Sequence, residues 1–223
     1  MKQANKRSPA RIPLAFYLAA LLCWVLLCTV SLAQDSKDRA AGRMPETVLS
    51  VQARDFYQMD VLRAGEEGKL ACLSADPQMR WSNDTGIRVR SVTMTASYSR
   101  NPKEISLYYL VGGQTEYTAE QRVYAADNGD GSYTFVLPRT DVTALRFDIC
   151  STPCVVRGFS VTLNPPRPAW QYYVPTYWQM FQMLLYPGLA ARLASLLWGA
   201  LLHARRWLAR RRSPSPDAPE ADG

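Results

Sequence analysis

Hydrophobic positions follow two rhythms along this chain: they run together near each end and alternate in the middle. From Ile12 to Gln34 no residue is charged, and PLAFYLAALLCWVLLCTVSLA (13–33) is almost wholly apolar. As a helix these 21 residues cover roughly 30 Å, the thickness of a bilayer's hydrocarbon core. The segment predicts a transmembrane anchor. A cleavable signal peptide with a long apolar region is the alternative, because Ser31-Leu32-Ala33 supplies small residues before Gln34.

The second apolar run, 172–204, is less uniform. No charge falls between Arg167 and Arg192, and the run leads into a cluster of arginines. As a span it carries Tyr172, Tyr173, Tyr177 and Trp178 as an aromatic belt at one boundary and Trp207 with the arginines at the other. As an interfacial helix it presents Leu189, Leu193, Leu196, Leu197, Leu201, Ala204 and Leu208 as one stripe. Arg192 weighs against the span, costing about 2.5–3.5 kcal/mol at a bilayer centre unless it snorkels or meets a membrane protein or lipid headgroup. Pro187-Gly188 predicts a kink that a membrane helix tolerates.

Between 47 and 163 the period is two. Ile87, Val89, Val92, Met94, Ala96 and Tyr98 alternate with polar residues, with a slip near Arg90-Ser91 that predicts a bulge. Short runs such as GKLACLS, ISLYYLV, QRVYAA, SYTFVLP, VTALRFDI and VVRGFSVTL are separated by turn signals, among them NDTG, DNGDG and RTD. About eight such strands predict one antiparallel β-sandwich, jelly-roll-like, flanked by two membrane helices. The remaining segments are a basic N-terminus (1–12), a polar linker (34–46), a Pro-rich linker (164–171), and a tail (205–223) that is basic and then disordered.

Charge sharpens the picture only when divided along the chain. The net +7 resides at the ends: residues 34–170 hold 16 basic and 16 acidic side chains, while 1–33 contribute +4 and 171–223 contribute +3. Basic residues flanking apolar spans stay cytoplasmic, which predicts both termini inside and the sandwich outside. A nucleic-acid protein would spread its basic residues over a folded face, so that class of partner is excluded.

Candidate chemistry is sparse. The single histidine, His203, lies in the C-terminal basic segment, so neither a Ser-His-Asp nor a Cys-His arrangement serves the middle domain, and no metal site or cofactor is implied. The reading is of a protein without catalytic residues; a glycan-modifying enzyme with a carboxylate pair among the 16 acids of 34–170 is the alternative, though nothing in the sequence singles out two. On the run 145–149, Leu145, Phe147 and Ile149 point one way and Arg146 and Asp148 the other. Cys150 and Cys154 flank Ser-Thr-Pro at a hairpin, within reach of a disulfide that an oxidising compartment permits. Cys72 reads as a small buried residue. Asp127-Asn128-Gly129-Asp130-Gly131 reads as a hairpin turn, since its ligand spacing is wrong for calcium. Exposed aromatic rings stack on sugar rings. The candidate ligand-binding residues are therefore Trp81 beside Asn83 in a loop, one of the adjacent pair Tyr108 and Tyr109, and the pair Arg146 and Asp148.

The sequence VTALRFDIC…VVRGFSVTLN, preceded by AEQRVYAADNGDGSYTFVLP, resembles a β-sandwich module of bacterial membrane proteins and glycosyltransferases of cell-surface polysaccharide synthesis. That family has a Pro-Gly turn where this chain has CSTPC, and the transferase domain that accompanies the module there is absent here. The resemblance implies a sugar-polymer context, not a transferase activity; the expected location is the bacterial inner membrane, with the sandwich in the periplasm. A carbohydrate- or partner-binding accessory of envelope polysaccharide assembly is the first expectation. A structural subunit docking a larger membrane transferase or transporter, through Arg192, Gln179 and Gln182, is the second.

Overall fold

A computed structural model describes residues 11–51, 54–63 and 69–212; the basic residues Lys2, Lys6 and Arg7 and the tail 213–223 lie outside the described residues. The chain divides into two compact units, one built from residues up to Leu32 and from Ala169 onward, the other from Ala33–Pro168.

The first unit holds most of helix α1 (Arg11–Ala40) and all of helix α2 (Tyr177–Arg212). Both are long and apolar enough to cross a membrane, which is compatible with a two-pass membrane protein. Pro187 lies inside α2 and the helix continues through it. One turn before Gly188, the Leu184 carbonyl accepts a bond from the Tyr17 hydroxyl at 2.9 Å. A second tie joins the Thr29 and Tyr173 hydroxyls at 3.0 Å.

The second unit is an antiparallel β-sandwich. Its strands are β1 (Thr47–Ser50), β2 (Tyr57–Met59), β3 (Val61–Arg63), β4 (Lys69–Cys72), β5 (Gln78–Tyr98), β6 (Ser106–Val111), β7 (Arg122–Tyr124), β8 (Ala126–Asp127), β9 (Ser132–Asp148) and β10 (Val155–Leu163). Two long strands serve both leaves. The first half of β5 lies between β2 and the second half of β9, which continues to β6 and β7. The second half of β5 lies between β10 and the first half of β9. Register slips at Ser82/Ile87 and Val89/Ser91 mark where β5 changes leaf, and bends of this kind make the corners of sandwiches. The expected turns NDTG and RTD thus do not end strands; they fall where β5 and β9 bend. Phe135 and Phe147 show the fold-over directly. Twelve residues of straight strand span about 40 Å, yet these two rings on β9 meet edge to face with centroids 6.3 Å apart. They close the core with Leu70, Met79, Met94 and Leu107, each worth about 1.5–3 kcal/mol of burial.

Residues 34–46, expected as a polar linker, are helical through Ala40 and packed. Asp35 and Asp38, three apart on one face of α1, are almost fully buried. Asp35 pairs with Arg139. Asp38 receives Arg43 at 3.1 Å and Arg88 at 2.9 Å, and these bonds hold its carboxyl down at about 2. Beside the same cluster, after β10, the buried Asn164 adopts a left-handed φ of 51°. Its amide donates to the Arg88 and Pro45 carbonyls and accepts from the Arg90 N–H, while Arg39 caps the Asn164 and Pro165 carbonyls. Each of these buried groups thus has its partner within the sandwich unit.

Candidate functional site: an arginine–tyrosine face and the cleft at its edge

Strand register places Arg80, Arg146, Tyr108 and Arg122 in one row across β5, β9, β6 and β7. Two residues along each strand, on the same face, follow Gln78, Asp148, Ser106 and Tyr124. This outer face is tightly bonded. The Arg146 guanidinium grips Asp148 with two bonds of 2.7 and 2.8 Å and reaches Asp76 at 3.1 Å. The same group lies 4.8 Å over the Tyr108 ring, and Tyr117 packs its edge against that ring. Arg80 bonds Gln78 at 3.0 Å, and Gln78 bonds Asp76 at 2.7 Å. Burial pushes the Asp148 carboxyl up, opposed by the bond from Arg146. A charge this enclosed stays ionised only beside a partner.

Arg122 leads from the row to the edge of the leaf. It pairs with Glu104 and lies between two rings, 5.4 Å from Tyr108 and 4.7 Å from Tyr124. Beyond Tyr124 opens a cleft of about 370 Å³ lined by Asn101, Lys103, Glu104, Tyr124, Asp127 and Tyr133. Lys103 owes its place to a left-handed φ of 64°, supported by its N–H bonding the Asn101 side chain at 2.8 Å. Gly129, at φ 80°, makes the turn after Asp127, and burial raises the Tyr133 phenol. Among the described residues the Lys103 ammonium has no carboxylate partner, and Tyr124 is 60% exposed. Arg122 covers one face of that ring. A ring with an open face beside donors and acceptors of both charges can stack on a sugar and bond its hydroxyls.

Of the residues expected to bind, Tyr108, Arg146 and Asp148 come together on the outer face. Trp81 and Tyr109 lie in the opposite, inward row with Leu145 and pack against the core; Trp81 is in β5, not in a loop, because the strand carries on to the bend. Asn83 is in that bend, its side chain accepting bonds from Thr85 at 3.0 and 2.7 Å. Cys150 and Cys154 are free thiols with sulfurs 3.3 Å apart. Arg192 is exposed on α2. The cleft residues Lys103, Glu104, Tyr124 and Asp127 were missing from the expected site. The only sequence signal for them is a tyrosine at the end of an alternating run, beside two turn-rich segments.

No family model matches the chain, and no curated protein does. Among solved structures it is similar to the xylan-binding module CBM86 from Roseburia intestinalis, with 22% identity over 53% of this chain and 94% of that one, at a TM-score of 0.37. It is also similar to CsCBM6-3 from Clostridium stercorarium, solved with cellobiose, at 14% identity, 54% and 94% coverage and a TM-score of 0.35. At such scores the likeness is remote, and the site is read from its own geometry.

Proposed function

We propose that this chain is a membrane-anchored accessory protein whose sandwich lies outside the cytoplasm and binds carbohydrate in the cleft beside Tyr124. The carrying observation is the pairing of a largely open aromatic ring with Lys103, Glu104 and Asp127 around a cleft of about 370 Å³. The distribution of charge supports the orientation, with both basic extremities cytoplasmic and the balanced middle outside. The envelope-polysaccharide setting comes from the resemblance around LRFD. The full chain in detergent micelles, applied to an array of bacterial envelope glycans, is the test. Binding that Tyr124→Ala removes without lowering the melting temperature supports the proposal; an array without signal, or signal indifferent to Tyr124, refutes it.

A second reading rests on the helical unit. A cavity of about 570 Å³ between α1 and α2 is lined by Phe16, Trp24, Gln179, Gln182 and Tyr186 among apolar neighbours. The Gln182 amide makes no hydrogen bond among the described residues. An amide in hydrocarbon seeks a partner, and a helix of a larger membrane complex would supply one. Co-purification that survives deletion of 47–163 but not Gln182→Leu would favour this reading over glycan binding.

A further inference from the structure

Three cysteines from separate elements converge inside the sandwich. Cys72 ends β4, Cys150 follows β9 and Cys154 precedes β10; their sulfurs all lie within 4.8 Å of one another. Each residue is at most 5% exposed. Strand pairing brings them there: the Cys72 N–H bonds the Cys154 carbonyl at 2.8 Å, and the Cys154 sulfur lies 3.3 Å from that of Cys150. Burial accounts for a cysteine as a small apolar residue, but it does not require three thiols to face one another. A disulfide joining any two leaves the third sulfur unused, whereas a central ion takes all three.

We infer that Cys72, Cys150 and Cys154 form a three-coordinate site for a thiophilic monovalent cation, copper(I). Metal–thiolate bonds of about 2.3 Å set three sulfurs about 4 Å apart around an ion, within the range these sulfurs already occupy. The donor set is wholly soft, which selects copper(I) over hard cations. Structural zinc takes four ligands, and no histidine or carboxylate among the described residues joins the three sulfurs. Tyr98, packed beside them, spends its hydroxyl on the Ile149 carbonyl at 2.7 Å. Arg100 is close enough to act electrostatically on Cys150 and Cys154, and its positive charge offsets the negative charge of ligated thiolates. Ligation releases the thiol protons to solvent, with no change of oxidation state. Bound copper would tie β4, which pairs with β10 at only three positions, to the β9–β10 hairpin.

The test is an anaerobic titration of the reduced full chain, in detergent micelles, with copper(I) against the chelator bathocuproine disulfonate. One copper held per chain is expected, weakened at least about tenfold by Cys72→Ser or Cys150→Ser and unchanged by the double replacement Cys23→Ser/Cys28→Ser. Because serine in the core can unfold the sandwich, alkylation of the unaltered chain is the second measure. One equivalent of copper(I) should protect Cys72, Cys150 and Cys154 and leave Cys23 as reactive as before. Copper surrendered to the chelator, copper retained by Cys72→Ser, unprotected thiols, or a Cys150–Cys154 disulfide in chain isolated from copper-replete cells would each overturn the inference.

Discussion

The arginine–tyrosine row and the cleft beside it share one leaf of the sandwich, yet they handle charge in opposite ways. In the row, Arg146 is answered by Asp148, Asp76 and the Tyr108 ring, and its side chain keeps 18% of its exposure, that of Asp148 14%. In the cleft, Lys103 and the free face of Tyr124 are answered by nothing among the described residues. A guanidinium with its bonds already made holds strands in register; a ring and an ammonium left open are available to something else. The pair that stands out in the sequence is bonded within the leaf, and its less conspicuous neighbours line the cleft proposed as the site.

Replacing Phe147 has the largest expected effect, because its ring meets both Phe56 and Phe135 in the core beneath this leaf. Phe147→Ala should cost about 3–5 kcal/mol, read by urea unfolding of the full chain in detergent, with glycan binding lost in proportion to unfolding. Arg146→Ala comes next. It strands the Asp148 carboxylate, for about 2–3 kcal/mol, below the fully buried case because some solvent reaches the pair. Its binding defect should vanish at temperatures where the variant remains folded. Trp81→Ala should behave as a core substitution, costing about 2–3 kcal/mol, below the fully buried case because the ring is only partly buried, and leaving glycan affinity unchanged. Tyr124→Ala sharpens the contrast from the other side: stability within about 0.5 kcal/mol of the parent, affinity down at least about tenfold, or 1.4 kcal/mol.

The effect confined to the narrowest range of conditions concerns Asp38. Asp38 has its carboxyl depressed to about 2 by Arg43 and Arg88, so the folded state binds this proton less readily than the unfolded chain. Its stabilisation is complete above the ordinary carboxylate value near 4 and is lost as pH falls from there through about 2. Asp38→Asn should flatten the acid limb of the melting-temperature profile in that window alone.

Alternation read the inward set Leu145, Phe147 and Ile149 directly, and all three are fully buried. The same rule placed Arg146 and Asp148 outside and told that Tyr108 and Tyr109 face opposite ways, but not which of them faces out. That depends on the partner strand. Turn residues misled at NDTG and RTD because a strand that crosses from leaf to leaf needs a bend, and a bend uses the residues of a turn. The buried acids of α1 were hidden for another reason. Asp35 and Asp38 look like linker acids until Arg139 and Arg88, 104 and 50 positions away, are brought beside them. Cys72 was likewise unremarkable until β4 paired with β10. The cleft draws on three separate segments, so no local pattern announced it.

Calorimetric titration of envelope-derived oligosaccharide into the full chain, with Tyr124→Ala and Arg146→Lys compared at one temperature where both are folded, bears most directly on the assignment of site and scaffold. Heat of binding absent in Tyr124→Ala and retained in Arg146→Lys is the expected result. Retention in the first with loss in the second would reverse the two roles and contradict the assignment.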